Sequence, residues 1–333
     1  MAVASPRAGL SRPSSSRLRR AAAWSFAAVG LVAMATAGAQ PAGGGTDPYA
    51  PGTLTVIPPQ PAAADTVSGP FVLREITTIP ELDYQPNLVP KTKTAGEVAK
   101  AVTIRRPVWS LEFAFKPLRM VTVDIPRADG RFQRQNVWYL VYRVRNTGQH
   151  LAPKVLPDRT VETEPAPSLS VRFQPRIVLE GVVRTGTETR TSSYLDRIVP
   201  VALPAITDRE RPPMPLLNSV EMADVEIGPP GGQQPSERWG VAMWEDIDPR
   251  IVYMKLLVGG LSNGYQLSFG QDGTPQYAYK TLQLNFWRPG DVLVESEDHV
   301  IYGVRTVDDK AEQSEILKLY GLEQPLDYRW TYR

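Results

Sequence analysis

The stretch WGVAMWEDIDPR, residues 239–250, sets Glu245, Asp246 and Asp248 beside Trp239 and Trp244. Carboxylates this close could supply hard oxygen ligands to Ca²⁺. They could also supply an acid and a base next to an aromatic platform for a sugar. Neither pattern is specific. The stretch lacks the bend glycine and the further oxygen donors of an EF-hand loop, and a glycosidase pair cannot be read from local spacing. The structural alternative is a capped turn: Asp248, before Pro249, opens the strand IVYMKLLV, and the two Trp side chains cover a core. That reading is preferred. It assigns no catalytic residue and expects no metal or cofactor, with Ca²⁺ at this loop as the one candidate.

The C-terminus, PLDYRWTYR, alternates. Leu326, Tyr328, Trp330 and Tyr332 face one way, and Asp327, Arg329, Thr331 and Arg333 face the other. This is a strand closing a sheet edge, or a docking strand whose Tyr328, Trp330 and Tyr332 meet a partner. The two histidines, His150 and His299, read as turn and strand-edge residues. His299 adjoins Asp298, but no G-x-S-x-G elbow accompanies it. Gly231-Gly232 and Gly259-Gly260 show neither phosphate-cradle pattern, and GGLSNG reads as a strand end and turn. The absence of cysteine excludes disulfides, thiolate metal sites, a Cys nucleophile and a lipidated Cys.

These residues need elements to hold them, and the elements read as β. In NVWYLVYRVRNTG, Trp138, Leu140, Tyr142 and Val144 fall on one face, with Val137, Tyr139, Val141, Arg143 and Arg145 on the other. The period of two predicts a half-buried strand whose Arg143 and Arg145 pair with acidic residues on a neighbour. Upstream, Leu111, Phe113 and Phe115 alternate, then Val121, Val123 and Ile125. Asp129-Gly130 predicts a hairpin between the second set and the central strand, and Asn146-Thr147-Gly148 predicts the turn at its far end. Further strands are expected at 71–79, 168–183, 194–203, 219–227, 251–258, 279–287, 299–307 and 325–333. One helix is expected, capped by Asp308 and ended by Gly321, with Ile316, Leu319 and Tyr320 on one face.

The ends and charges suggest a compartment. Arg17, Arg19 and Arg20 precede an apolar, Ala-rich run that ends at Ala37-Gly38-Ala39. This predicts a signal peptide over 1–39, with no transmembrane span once it is removed. Cleavage would take five of the 37 basic residues and leave 32 against 35 acidic ones, a balance of −3. No basic stripe then remains for nucleic acid. Residues 40–68, rich in Pro, Ala and Gly, predict a flexible linker, and 85–100 a second loop. The expected folded parts are 69–165 and 166–333, divided at the polar VLPDRTVETEPAP.

VWYLVYRVRNTG resembles the strand and turn of immunoglobulin-like modules in exported bacterial proteins. With LEFAFKPLRM, WGVAMWEDIDPR and GLSNGY, the wider pattern resembles a family of uncharacterised exported bacterial proteins that carries no assigned activity. The resemblance implies two immunoglobulin-like antiparallel β-sandwich domains with one short C-terminal helix, without the Cys pair of true immunoglobulin domains. The functional expectation is a non-catalytic exported protein of the periplasm, envelope or cell surface, structural or binding, with protein partners there. The alternative is a carbohydrate-binding or carbohydrate-active protein using Trp239–Asp248.

Overall fold

The computed structural model describes residues 54–71, 102–158, 160–167, 169–185, 188–271, 274–289 and 300–333. The predicted signal peptide, residues 72–79 of the strand predicted at 71–79, the loop at 85–100 and the Asp298-His299 pair lie outside the described residues. The described residues all fall within one compact unit, Pro48–Arg333.

The fold is mainly β, in several antiparallel sheets. The first holds β1 (Thr55–Ile57), β4 (Glu112–Phe115), β5 (Arg119–Pro126), β6 (Phe132–Arg145) and β13 (Glu237–Trp244). The second holds β10 (Arg176–Thr185), β11 (Glu188–Leu195), β14 (Tyr253–Gly259), β15 (Tyr265–Phe269), β16 (Pro275–Trp287), β17 (Ile301–Tyr302) and β18 (Tyr328–Tyr332). Three two-stranded ribbons complete the described strands. They are β2 (Val67–Phe71) with β3 (Val102–Arg105), β7 (Leu151–Val155) with β8 (Val161–Pro165), and β9 (Val171–Arg172) with β12 (Glu226–Ile227). No helix among the described residues is long and apolar enough to cross a membrane.

β6 organises the first sheet. The Asp129-Gly130 hairpin forms as read: Gly130 takes φ +79°, Arg127 N–H donates to Arg131 O at 2.8 Å, and Pro126 pairs with Phe132. At the other end Asn146 Oδ1 accepts from Gly148 N–H at 3.0 Å. β6 is buried on both faces rather than one. Trp138, Leu140, Tyr142 and Val144 enter the core between the two sheets, facing Leu179, Leu256, Leu284 and Phe286. Val137, Tyr139 and Val141 enter a second core beneath Val199, Ala202 and Ile206. Two apolar rows on one strand require two covering layers, and helical turns supply the second.

That layer corrects the expectation of a single helix. Residues 199–210, read partly as strand, form a 3₁₀ turn (Pro200–Ala202) running into α1 (Leu203–Glu210). Proline in the opening turn of each suits a helix start, where N–H groups have no internal partner. Residues 219–224, also read as strand, form α2 (Ser219–Asp224). Asn218 Oδ1 accepts from Glu221 N–H at 3.0 Å, and Glu221 Oε2 accepts from Asn218 N–H at 3.0 Å. The expected C-terminal helix is α3 (Lys310–Tyr320). It is capped by Asp309 rather than Asp308 and buries Ile316, Leu317 and Tyr320 rather than Leu319. Gly321 ends it at φ +69°.

Two other expectations meet a different arrangement. Residues 54–68 are not linker: β1 pairs with β4, Ile57 is buried in the inter-sheet core, and Asp65 is buried in an ion pair. The specific burial of one isoleucine and one aspartate outweighs the composition around them. β13, from beyond residue 165, pairs along β6 from Glu237↔Arg145 to Trp244↔Trp138. Residues from both sides of 165 therefore line one inter-sheet core.

Candidate functional site

β13 fixes the Trp239–Asp248 segment. Trp239 and Trp244 are five residues apart, and an odd separation on a strand sends side chains to opposite faces. Trp239 joins the core under α1, while Trp244 joins the inter-sheet core and is fully buried. They form no common platform. The three carboxylates follow where β13 ends. Glu245 lies 3.6 Å from Arg197. Asp246 adopts φ +57°, and its Oδ1 accepts from Gln135 Nε2 at 2.7 Å. Asp248 accepts from its own turn, from Arg250 N–H at 3.0 Å and from the Arg250 guanidinium at 2.8 Å. Those bonds hold its carboxyl below the usual range. The three point to three different partners, and no group of three acidic or histidine side chains gathers as a metal cluster among the described residues.

The terminal strand β18 lies antiparallel on β16, from Leu284↔Tyr328 to Lys280↔Tyr332. Tyr328 and Trp330 pack against the inter-sheet core. Tyr332 donates to Asp65 Oδ1 at 2.7 Å, and Lys280 Nζ lies 2.9 Å from Asp65 Oδ2, with both charged side chains almost wholly buried. Burial, then the Asp65 interaction, pushes the Tyr332 phenol up. Among the described residues β18 pairs with β16 alone, so its second edge has no strand beside it.

Two charge networks went unread because their members are far apart in sequence. Glu210, at the C-terminal end of α1, lies 3.2 Å from both Lys116 Nζ and Arg119 Nη1, and accepts from Tyr139 Oη at 2.8 Å. Lys116 Nζ also donates to Glu210 O. All four side chains are buried. Burial first, then the Glu210 charge, pushes the Tyr139 phenol far up. Glu180 sits 2.9 Å from Lys255 and 3.0 Å from Arg333, tying β10 and β14 to the last residue. Glu112 accepts from Arg143 at 2.8 Å, and Arg145 lies 3.4 Å away, so the arginines pair across strands as read. Asp196 accepts from Met243 N–H at 2.8 Å and from the Ser219 hydroxyl, fastening β13 to the start of α2. Desolvation outweighs these bonds and raises its carboxyl. His150 is buried, and burial depresses its basicity.

The β15–β16 hairpin carries an arrangement of another kind. Its register pairs Tyr265 with Tyr279 and Leu267 with Tyr277. One face is therefore aromatic and aliphatic, and the other holds Gln266, Ser268 and Gln276. The Tyr265 ring lies 5.4 Å from Tyr277 and 6.2 Å from Tyr279. The Arg106 guanidinium rides 3.8 Å over Tyr265 and that of Arg176 4.7 Å over Tyr279. The sequence signal was present: tyrosine recurs at every second position in QYAYK, opposite Tyr265 across the turn.

Comparison with protein-family models, curated proteins and solved structures finds no match. The site is defined by this geometry alone, as surface and framework features of a helix-covered β protein.

Proposed function

We propose that the chain is a non-catalytic exported protein of the cell envelope or surface, acting as a structural or binding module on an immunoglobulin-like sandwich framework. One observation carries this reading: the buried carboxylates are spent on cross-ties. Asp65 joins the N-terminal segment to β16 and β18, Glu210 joins α1 to the first sheet, and Glu180 joins β10 to β14 and the C-terminus. Each has its oxygens committed to cations or phenols, which favours a rigid framework over proton transfer. The predicted signal peptide supports export, and the edge of β18, which has no strand beside it among the described residues, offers one for a protein partner.

The test is fractionation of the native cell followed by crosslinking and mass spectrometry. The protein is expected in the envelope or medium, beginning near Gln40, with recurrent crosslinks to envelope proteins. Recovery in the cytosol with Met1 retained would end this reading.

A further inference from the structure

We propose that the chain forms a homodimer in which the β18 strands of two copies pair edge to edge, antiparallel, about a two-fold axis at Trp330. This rests on the reading of β18 as a docking strand and names its partner as a second copy of this chain.

The backbone presents the edge. Arg333 N–H donates to the Tyr279 carbonyl at 3.1 Å, Tyr279 N–H returns a bond to the Arg333 carbonyl at 2.6 Å, and Asn285 N–H donates to the Asp327 carbonyl at 2.9 Å. Bonding along an antiparallel strand alternates from residue to residue. Arg329, Thr331 and Arg333 therefore turn their backbone groups toward β16, and Tyr328, Trp330 and Tyr332 turn theirs away from it. No strand among the described residues lies on that side to receive them. Proteins guard such an edge with proline, lysine or a bulge. YRWTY holds no proline and no lysine, and its register with β16 runs unbroken from Tyr328 to Tyr332.

Charge selects the partner, because the edge sequence DYRWTYR is complementary to itself. With Trp330 opposite Trp330 of the second copy, Tyr328 meets Tyr332, Arg329 meets Thr331 and Asp327 meets Arg333. Each end of the pairing then sets a carboxylate across from a guanidinium, and both residues are exposed. Arg333 gives Nη2 to Glu180 at 3.0 Å, with its side chain 49 % exposed, so the fork keeps N–H groups for a second carboxylate. In the same register Tyr328, Trp330 and Tyr332 exchange backbone bonds on every rung they form, and their rings make cross-strand aromatic pairs. Sliding the second strand to the next bonded register is penalised in either direction. One slide opposes Arg329 to Arg329 of the second copy, and the other opposes Arg329 to Arg333. The two-fold pairing also closes, since it consumes the edge on both copies.

The experiment is sedimentation equilibrium of the protein purified from its native cell, over a concentration series. A monomer–dimer equilibrium is expected. Thr331→Arg sets like charges opposite Arg329 on both symmetry-related rungs and should raise the dimer dissociation constant about tenfold, whereas Thr331→Glu should lower it about tenfold. A tighter dimer cannot come from a damaged fold, so the second variant keeps the test decisive. Register is read with thiols, because the chain has no cysteine of its own. Arg329→Cys mixed with Thr331→Cys should give a disulfide-linked dimer on oxidation, and neither alone should, since only unlike positions face each other. A monomer at every concentration, a dimer indifferent to both Thr331 charges, or thiols that fail to link would overturn the proposal. A monomer that still crosslinks to other envelope proteins loses the self-pairing and keeps the docking reading, whereas a dimer recovered from the cytosol with Met1 retained keeps the self-pairing and loses export.

Discussion

Glu210→Gln tests a deeply buried charge network. The substitution keeps shape and one oxygen but removes the negative charge between Lys116 and Arg119, each 3.2 Å away. Their side chains are 4 % and 8 % exposed, so neither reaches water without moving the backbone. Leaving a buried charge without its counter-charge costs about 3–5 kcal/mol. Lys116 keeps the Glu210 carbonyl, which holds the expectation within that range. Unfolding entropy of about 2 cal/mol/K per residue, over the unit Pro48–Arg333, converts this to a Tm lower by about 5–8 °C. Differential scanning calorimetry at neutral pH is the assay. The double substitution Lys116→Met, Glu210→Leu should cost less than Glu210→Gln alone, because it buries no unpaired lysine. A Tm drop below about 1 °C for Glu210→Gln, or a double variant worse than the single, would refute the claim that this network is desolvated.

Two further outcomes follow from single residues. Asp196 has its folded-state carboxyl raised by desolvation. Its contribution is therefore full below the unfolded carboxylate value of about 3.9 and is lost as pH rises through the higher folded value. Asp196→Asn can still accept from Met243 and should flatten this loss, read as denaturant midpoints across pH 3 to 7 that fall less than those of the parent. Gly260 sits at φ +89°, and a Cβ there would lie 2.1 Å from the Gln174 carbonyl oxygen. Gly260→Ala should cost about 1–3 kcal/mol in chemical denaturation, whereas Gly130→Ala, where a Cβ meets nothing, should cost less.

The Trp239–Asp248 segment shows where reading from neighbours misleads. Adjacent letters suggested one site, yet strand geometry sends Trp239 and Trp244 to opposite cores and the carboxylates to three partners. The odd spacing was visible in the sequence, but strand extent was needed before it meant anything. Residues 219–224 failed differently. VEMADVEI is apolar enough for a strand, and the Asn218–Glu221 capping box that starts the helix is a four-residue signal set against that run. Tyr277 lay outside the strand expected at 279–287, and only the register of β15 with β16 set it and Tyr279 beside Tyr265.

Local backbone geometry is written between neighbours. Alternation along β6, the Asp129-Gly130 turn and the Gly321 helix end were all determined by the sequence alone, because each depends on residues a few positions apart. Which strands share a core, and which charges meet, was decided only by tertiary structure. Lys280 and Asp65 are 215 residues apart, and Lys116 and the Glu210 carbonyl 94. Such pairs form because whole apolar faces are buried together. The free energy that brings them into contact belongs to those faces rather than to the paired residues, so no local pattern marks them.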